Sequence, residues 1–141
     1  MAERLAGYWL LKSEPESFGW TDLVHARRST WDGVRNYQAR NHLAAMKLGD
    51  RALFYHSGAR REVVGEMEIV RAAFEDPTSQ DPRWLAVEVQ ALRALPKSVS
   101  LLQIKADPLL ANILLVRNSR LSVMPLGEAE YHHILRLGGV D

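Results

Sequence analysis

The sequence predicts an α+β protein built around a small, closed or partly open β-barrel. Strand patterns dominate the middle of the chain, short helix patterns lie toward its ends, and the two do not alternate as βαβ units require. The 141 residues suffice for one hydrophobic core. No repeat, low-complexity stretch or break in composition divides them, so we expect a single domain over residues 1–141.

Four segments have the patterns of β-strands, bounded by glycine, proline or polar turns. They are residues 8–12, 51–57, 63–76 and 84–95. The last of them alternates clearly, with Leu85, Val87 and Val89 on one face. Two prolines place a loop at 76–82, between the third and fourth strands.

Helical spacing occurs at residues 20–27, 36–48, 101–115 and 127–137. In the second of these segments Ala39, Leu43 and Met46 share a face, and Gly49 is expected to end the helix at the C′ position. Pro108 divides the third segment into two short helices or helical turns.

Charge and composition leave the class of partner open. The net charge is +1 and the pI about 8.1, which neither indicates nor excludes nucleic-acid binding. Eight arginines can gather on one face, although a mixed solvated surface is the simpler interpretation; they are Arg27, Arg28, Arg35, Arg40, Arg60, Arg61, Arg117 and Arg120.

The sequence offers no membrane or secretion signal. No apolar run approaches the roughly 20 residues of a transmembrane helix. Residues 1–15 lack the pattern of a signal peptide, and there is no cysteine for a disulfide or a thiolate zinc site. We therefore expect a cytoplasmic protein without a membrane partner. The sequence leaves the oligomeric state open, and we favour a monomer.

Motifs for common catalytic and metal sites are missing. Five histidines are present without metal-ligand spacing, so we expect no metal and no cofactor. No nucleophile elbow, P-loop or dinucleotide motif occurs. A Ser13 hydroxyl activated by His56, with Asp32 as orienting group, stays open as an alternative.

The four tryptophans divide into two kinds. Trp9 and Trp84 lie in predicted strands and are assigned to packing. Trp20 and Trp31 each stand where a loop passes into a helix, and aromatic rings on such loops are typical stacking surfaces for an unpaired or flipped base. Packing in a peripheral part of the core is the alternative for these two.

The segment "WDGVRNYQARN" (31–41) combines an aromatic ring with many hydrogen-bonding groups. An Asp32-Gly33 turn brings Trp31 close to the start of the following helix, where free backbone N–H groups favour anions or carbonyl oxygens. Arg35 and Asn36 suit base edges or phosphates. The alternative is structural: Asn36 as N-cap and Arg35 tied to Asp32.

Seven collinear motifs together resemble the EVE domain, a PUA-like family: "YWLLKSEP" (8–15), "FGW" (18–20), "WDGVRNYQARN" (31–41), "GD…FYHS" (49–57), "VGE" (64–66), "PRW" (82–84) and "RLSVMP" (120–125). The resemblance implies a PUA-like small mixed β-barrel of about five to six strands flanked by short helices. EVE domains are connected with recognition of modified DNA bases, chiefly methylated or hydroxymethylated cytosine, and RNA ligands are also suggested for the family.

The resemblance also implies a set of ligand-binding residues. Ser13 would bond the base edge, Trp20 and Trp31 would wall the base, and Arg35 and Asn36 would meet its edge or a phosphate. The full expected set is Ser13, Trp20, Trp31, Gly33, Val34, Arg35, Asn36, His56, Ser57, Arg120, Leu121 and Ser122. The function expected is non-catalytic binding of nucleic acid through a modified base, with modified DNA favoured and RNA possible. The alternatives are an enzyme acting on a nucleotide or nucleoside with His56 or Asp32, or an RNA-binding module without preference for a modification. A small-molecule or protein-interaction module is a third possibility.

Overall fold

The structure, a computed structural model, describes residues 7–140. Residues 1–6 and residue 141 lie outside the described part. The expectation of no signal peptide in residues 1–15 therefore falls partly on residues that are not described. Within the described part, six strands form one mixed sheet: β1 Tyr8–Ser13, β2 Arg28–Trp31, β3 Arg51–His56, β4 Glu62–Glu75, β5 Leu85–Ser100 and β6 Val123–Leu126.

The strand order in the sheet is β2-β5-β4-β3-β1-β6. Strands β1 and β3 pair in parallel, and every other pair is antiparallel. The predicted α+β class and strand number are confirmed. The sheet is not closed: β2 and β6 are its edges, so the closed form of the expected barrel does not occur.

The helices are α1 Trp20–Ala26, α2 Tyr37–Ala45, α3 Leu101–Ala106, α4 Leu114–Arg117 and α5 Glu128–Leu137. All but α4 lie where the periodicity predicts; α4 begins at the end of the predicted 101–115 segment and extends two residues beyond it. One boundary is wrong. Helix α2 ends at Ala45, with the Met46 N–H donating to the Leu43 carbonyl, and Gly49 (φ +88°) lies in the next turn, where its N–H donates to the Ile69 carbonyl. The glycine therefore connects α2 to the sheet and does not cap the helix.

Two strands escaped prediction and one is longer than expected. Strands β2 and β6 have only four residues each, too few to show a period. Strand β5 continues past Leu95 to Ser100, because Val99 and Ser100 pair with the first residues of β4. These features depend on partners distant in the sequence.

The core contains the inner faces of β1 and β3 together with α2 and α5, and includes the fully buried Leu10, Leu43, Phe54 and Tyr131. Trp9 is buried there as expected, and its indole N–H donates to Asp50 Oδ2 at 2.9 Å. Trp84 is only partly buried, just before β5. None of the helices within residues 7–140 has the length and apolar character needed to span a membrane.

Candidate functional site

A cavity of about 390 Å³, the Trp31 cavity, opens where the end of β1 faces β2 and the segment leading to α2. Its volume is in the range of small-molecule sites. Six of its lining residues belong to the predicted ligand-binding set. Five of them lie at the ends of β1 and β2 and in residues 33–35, and the sixth, Ser122, precedes β6. The lining residues are Lys12, Ser13, Phe18, Ser29, Thr30, Trp31, Asp32, Gly33, Val34, Arg35 and Ser122.

Trp31 forms the aromatic wall of this cavity at the end of β2. Strand pairing with Val87 of β5 fixes its backbone. Its ring lies edge to face against Phe54 (centroids 5.3 Å apart) and Phe18 (6.5 Å). Only 8% of Trp31 is exposed, so the cavity is bounded by a rigid indole.

Asp76, just after β4, fixes the segment that follows Trp31. Its Oδ2 accepts from the Gly33 N–H at 2.8 Å and from Arg35 Nη1 at 2.9 Å. Its Oδ1 accepts from the backbone N–H and the hydroxyl of Thr78, and Arg35 Nη2 donates to that same hydroxyl at 3.1 Å. Arg35 is thus paired with Asp76, and the structural alternative that paired it with Asp32 is wrong.

The two aspartates at this point have opposite shifts in acidity. Burial opposes ionisation of Asp76, but hydrogen bonds from Thr78, Arg35 and Gly33 outweigh burial and lower the pKa of Asp76 to about 2. Burial and then the Asp76 charge raise the pKa of Asp32, against the opposing charge of Arg35. Asp76 is therefore ionised at neutral pH and holds Arg35 in place.

Hydroxyl and amine groups from β1 and from the segment before β6 form the opposite side. The Ser13 hydroxyl donates to the Phe18 carbonyl at 2.6 Å, which leaves its oxygen lone pairs able to accept. The Lys12 N–H donates to the Ser122 carbonyl, and Lys12 Nζ donates to the Ser119 carbonyl at 3.0 Å. Burial lowers the pKa of Lys12.

Trp20 lies apart from Trp31. Its ring covers Gly65 and meets Phe54 edge to face at 5.6 Å, so Phe54 separates the two indoles. Trp20 lines another, more apolar cavity between α1 and β5. The pair of tryptophans that the sequence suggested as two walls is not brought together.

His56 and Ser57 lie beside the Trp31 cavity without lining it. His56 Nε2 accepts from the Trp20 backbone N–H at 3.1 Å, and burial lowers the pKa of His56. The Ser57 N–H donates to the Ser13 carbonyl. Their contacts fix the backbone around Ser13 and Trp20.

Asn36, Arg120 and Leu121 likewise do not line it. Asn36 Oδ1 accepts from the Ala39 N–H at 2.9 Å, which confirms the N-cap alternative. Leu121 is buried in the core, and Arg120 is exposed, with its backbone N–H donating to Asn118. Of the "RLS" motif, only Ser122 reaches the cavity.

Sequence reasoning missed several residues that complete the site. Ser29 and Thr30 escaped because β2 was not recognised as a strand. Lys12 and Phe18 stand inside motifs quoted for the family and could have been included. The Asp-Pro-Thr sequence at Asp76 indicates a turn, but no sequence pattern near Asp76 predicts its contact with Arg35, 41 positions away.

A second, basic cavity of about 210 Å³ adjoins the first and shares Lys12 with it. Arg61 and Lys105 also line it, with Ser57 and Ser119. We call these three cations, Lys12, Arg61 and Lys105, the basic rim. Within residues 7–140, no cluster of three or more histidine, aspartate or glutamate side chains is arranged to hold a metal ion.

Fold and site together define an α+β domain with an open mixed sheet and one aromatic cavity rimmed by hydroxyl groups and cations. The EVE domain model matches residues 7–137, and the chain belongs to the EVE domain family. Thymocyte nuclear protein 1 of Homo sapiens is 37% identical over 96% of this chain and 75% of its own length, and the Mus musculus protein is 39% identical over the same shares.

Solved structures agree with this assignment. A crystal structure of a protein from Agrobacterium tumefaciens has a TM-score of 0.92 and 43% identity, covering 96% of this chain and 94% of that one. The human THYN1 protein in complex with 5-methylcytosine-containing DNA has a TM-score of 0.85 and 35% identity, covering 96% and 99%. An ASCH protein from Zymomonas mobilis (TM-score 0.56, 12% identity, 93% and 95%) shares the fold alone.

Proposed function

We propose that this chain is a non-catalytic nucleic-acid-binding protein, one EVE domain over residues 1–141, that holds a modified base in the Trp31 cavity. The observation that carries the proposal is the DNA complex of the human relative, whose DNA contains 5-methylcytosine and whose fold matches this chain over nearly its whole length. Methylated or hydroxymethylated cytosine in DNA is therefore the favoured ligand, with RNA as the alternative source of the base.

The polar groups of the cavity suit the edge of a cytosine. The Ser13 oxygen, whose proton is engaged by Phe18, can accept from an exocyclic amino group. Arg35 uses three N–H bonds on Val34, Asp76 and Thr78, which leaves two N–H groups able to donate to a carbonyl oxygen or a phosphate. The apolar wall of Trp31 and Val34 would face the methyl group.

The basic rim gives the nucleic-acid backbone a place beside the base. Lys12 borders both the Trp31 cavity and the adjoining basic cavity, and Arg61 and Lys105 line the latter. When such cationic side chains neutralise phosphates, the counterions condensed on the nucleic acid are released, so the affinity should fall as the salt concentration rises. A base flipped into the Trp31 cavity would keep its own phosphate near these cations.

The enzymatic alternative has less support. His56 is occupied by the Trp20 N–H and does not line the Trp31 cavity. Asp32 lines it and has a raised pKa, but the other polar side chains of the cavity are engaged elsewhere. Lys12 Nζ donates to the Ser119 carbonyl, the Ser13 hydroxyl donates to the Phe18 carbonyl, and Arg35 donates to Asp76. If a nucleotide panel yields product that an Asp32→Asn variant does not form, the non-catalytic proposal is wrong.

The experiment is an affinity panel of short oligonucleotides, DNA and RNA, that carry cytosine, 5-methylcytosine or 5-hydroxymethylcytosine at one position. Binding is followed by Trp fluorescence and anisotropy. Ser122→Ala is the first variant, because it removes one cavity hydroxyl without touching the core, and Trp31→Leu removes the wall. Trp20→Leu is the matched control, since Trp20 is as buried as Trp31 but lies outside the cavity.

The expected result is tighter binding of a modified oligonucleotide, with the preference reduced by both cavity variants and kept by Trp20→Leu. Loss of one stacked base corresponds to roughly 1 to 3 kcal/mol. Equal affinity for all three bases would remove the modification from the proposal and favour a general RNA- or DNA-binding module. No binding to any oligonucleotide would overturn it.

Cellular location and oligomeric state stay predictions. We expected a cytoplasmic monomer from the sequence, whereas the vertebrate relatives carry "nuclear" in their names.

A further inference from the structure

A larger cavity, of about 520 Å³, lies between α5 and the sheet and shares no lining residue with the Trp31 cavity. We call it the Tyr131 cavity. Three arginines border it from three different elements: Arg51 at the start of β3, Arg93 in β5 and Arg136 near the end of α5. None of the three belongs to the predicted ligand-binding set.

Among the described residues, Glu66 is the one carboxylate that lines this cavity, and both of its oxygens already accept hydrogen bonds. Glu66 is 2% exposed; its Oε2 accepts from the Tyr131 hydroxyl at 2.6 Å and its Oε1 from Arg93 Nε at 2.8 Å. Burial and then the bond to Glu66 raise the pKa of Tyr131, so the hydroxyl stays protonated and keeps donating. Both Glu66 oxygens are therefore hydrogen-bonded, and its charge offsets that of Arg93.

Arg51 and Arg136 have no such partner in the part of the chain that the structure describes. No carboxylate of residues 7–140 lies within 4.0 Å of either guanidinium. Glu68 stands opposite Arg51 in the β3–β4 pairing, but it forms no ion pair with Arg51 and does not line the cavity. Three guanidinium charges and one carboxylate give the lining residues within 7–140 a charge of +2, with His132 counted as neutral.

Several guanidinium groups around one cavity favour a particular kind of ligand. Their planar N–H pairs match the oxygens of phosphate, and three arginines from different directions suit a tetrahedral anion. The cavity is larger than a phosphate ion needs, and the rings of Tyr8 and His132, 5.4 Å apart and edge to face, extend its wall beyond the arginines. An organic group attached to the phosphate could lie against these rings.

We propose that the Tyr131 cavity binds a phosphate ester, with Arg51 and Arg136 as the principal anion-binding residues and Arg93 held in position by Glu66. The phosphate ester is either a free small molecule or a phosphodiester of a nucleic acid that passes this face. The proposal does not depend on the base-binding role of the Trp31 cavity.

The test uses inorganic phosphate and ribose 5-phosphate as probes, because neither carries a base that could enter the Trp31 cavity. The full chain is titrated at constant ionic strength, and binding is followed by NMR signals of Tyr8, His132 and the Trp31 indole. Arg51→Gln and Arg136→Gln remove one charge each. Arg71→Gln is the matched control, since Arg71 is an exposed arginine of the same sheet that pairs with Glu88 and lines none of these cavities.

The expected result is saturable binding of ribose 5-phosphate, with shifts at Tyr8 and His132 and none at Trp31. Each cavity variant should weaken it by about tenfold or more, which corresponds to about 1.4 kcal/mol, while the control stays near wild type. Thermal unfolding of each variant shows whether it is folded. Absence of saturable binding, equal binding of acetate, or equal losses in the Arg71→Gln control would overturn the proposal.

A short unmodified DNA duplex separates the two sources of the phosphate. If Arg136→Gln lowers duplex affinity as well, also in a Trp31→Leu background, the ligand is a nucleic-acid phosphodiester. If duplex affinity is unchanged while ribose 5-phosphate binding is lost, the ligand is a free phosphate ester. Either result supports the site, and neither depends on recognition of a modified base.

Discussion

Arg35 Nη1 lies 2.9 Å from Asp76 Oδ2, and this ion pair joins the segment before α2 to the end of β4 across 41 positions of the sequence. The same carboxylate oxygen accepts from the Gly33 N–H. One buried aspartate therefore fixes both the turn after Trp31 and the arginine that borders the cavity. The geometry of the candidate site depends on this contact more than on any property of the 31–41 segment alone.

Asp76 should make the protein sensitive to acid. Its pKa is about 2 in the folded protein and 3.8 ordinarily, so the folded state binds its proton more weakly than the unfolded state does. The stabilisation is present above pH about 4 and is lost as the pH falls toward about 2, with a total of roughly 2 kcal/mol. Urea unfolding of wild type and Asp76→Asn across this range measures it.

In the Asp76→Asn variant the free energy of unfolding should be lower at neutral pH and should depend less on pH below about 4. Asp81→Asn is the control, because Asp81 forms an exposed ion pair with Arg83. A pH dependence that is the same in wild type and Asp76→Asn would contradict the assignment.

Gly33 should be required for the shape of the cavity. Its φ is +79°, where a side chain costs about 1 to 2 kcal/mol, and a Cβ there would meet no atom within 4 Å. Gly33→Ala should therefore destabilise through the backbone and also weaken ligand binding. Gly49→Ala is a matched control, since Gly49 has φ +88° and equally open space but does not line the Trp31 cavity.

Both glycine variants should lower the melting temperature by similar amounts, and only Gly33→Ala should lower the affinity for a modified oligonucleotide. Parallel losses of affinity in the two variants would show that the effect is one of global stability.

Gly65 should tolerate no side chain while Trp20 is present. A Cβ at Gly65 would lie 2.5 Å from the Trp20 ring, so the indole must move or the strand must shift. We expect Gly65→Ala to destabilise by about 1 to 3 kcal/mol, as overpacking of a core does. In a Trp20→Leu background the same substitution should cost much less, and a double-mutant cycle by chemical denaturation measures this coupling. Additive effects would contradict the contact.

The basic rim should act on affinity and not on the choice of base. Lys105→Gln removes one cation of the basic rim, outside the Trp31 cavity, so it should weaken binding of modified and unmodified oligonucleotides by the same factor. The slope of log affinity against log salt should fall by about 1. Lys97→Gln, at an exposed lysine of β5 outside these cavities, is the charge-matched control. A changed preference for the modified base would contradict this division of roles.

Much of the fold could be predicted because its signals are local. The apolar run at residues 8–12 predicted β1 to within one residue of its end. The helical spacing around Leu43 predicted α2, which begins one residue later and ends three residues earlier than expected. Asn36 was recognised as a possible N-cap because the cap bond spans only three residues. The short strands β2 and β6 carried no such signal.

The candidate site could be predicted only in part. Six residues of the set that the family resemblance implied line one cavity, and their role in binding a base stays a prediction: Ser13, Trp31, Gly33, Val34, Arg35 and Ser122. Trp20 has the same flanking residues as Trp31 in type, glycine and aspartate, yet Phe54 of β3 stands between the two rings. No pattern within either tryptophan segment predicts that Phe54, from a different strand, lies between the two rings.

The sequence by itself determined the class of fold, the positions of most helices and strands, and the family, because periodicity, turn residues and long motifs are properties of contiguous segments. The tertiary structure decided that the sheet stays open, that Asp76 holds Arg35, and that only one of the two loop tryptophans faces the Trp31 cavity. It also decided that Arg51, Arg93 and Arg136 line the Tyr131 cavity. These facts depend on strand order and on side chains that meet from distant positions, and packing of the whole chain fixes them.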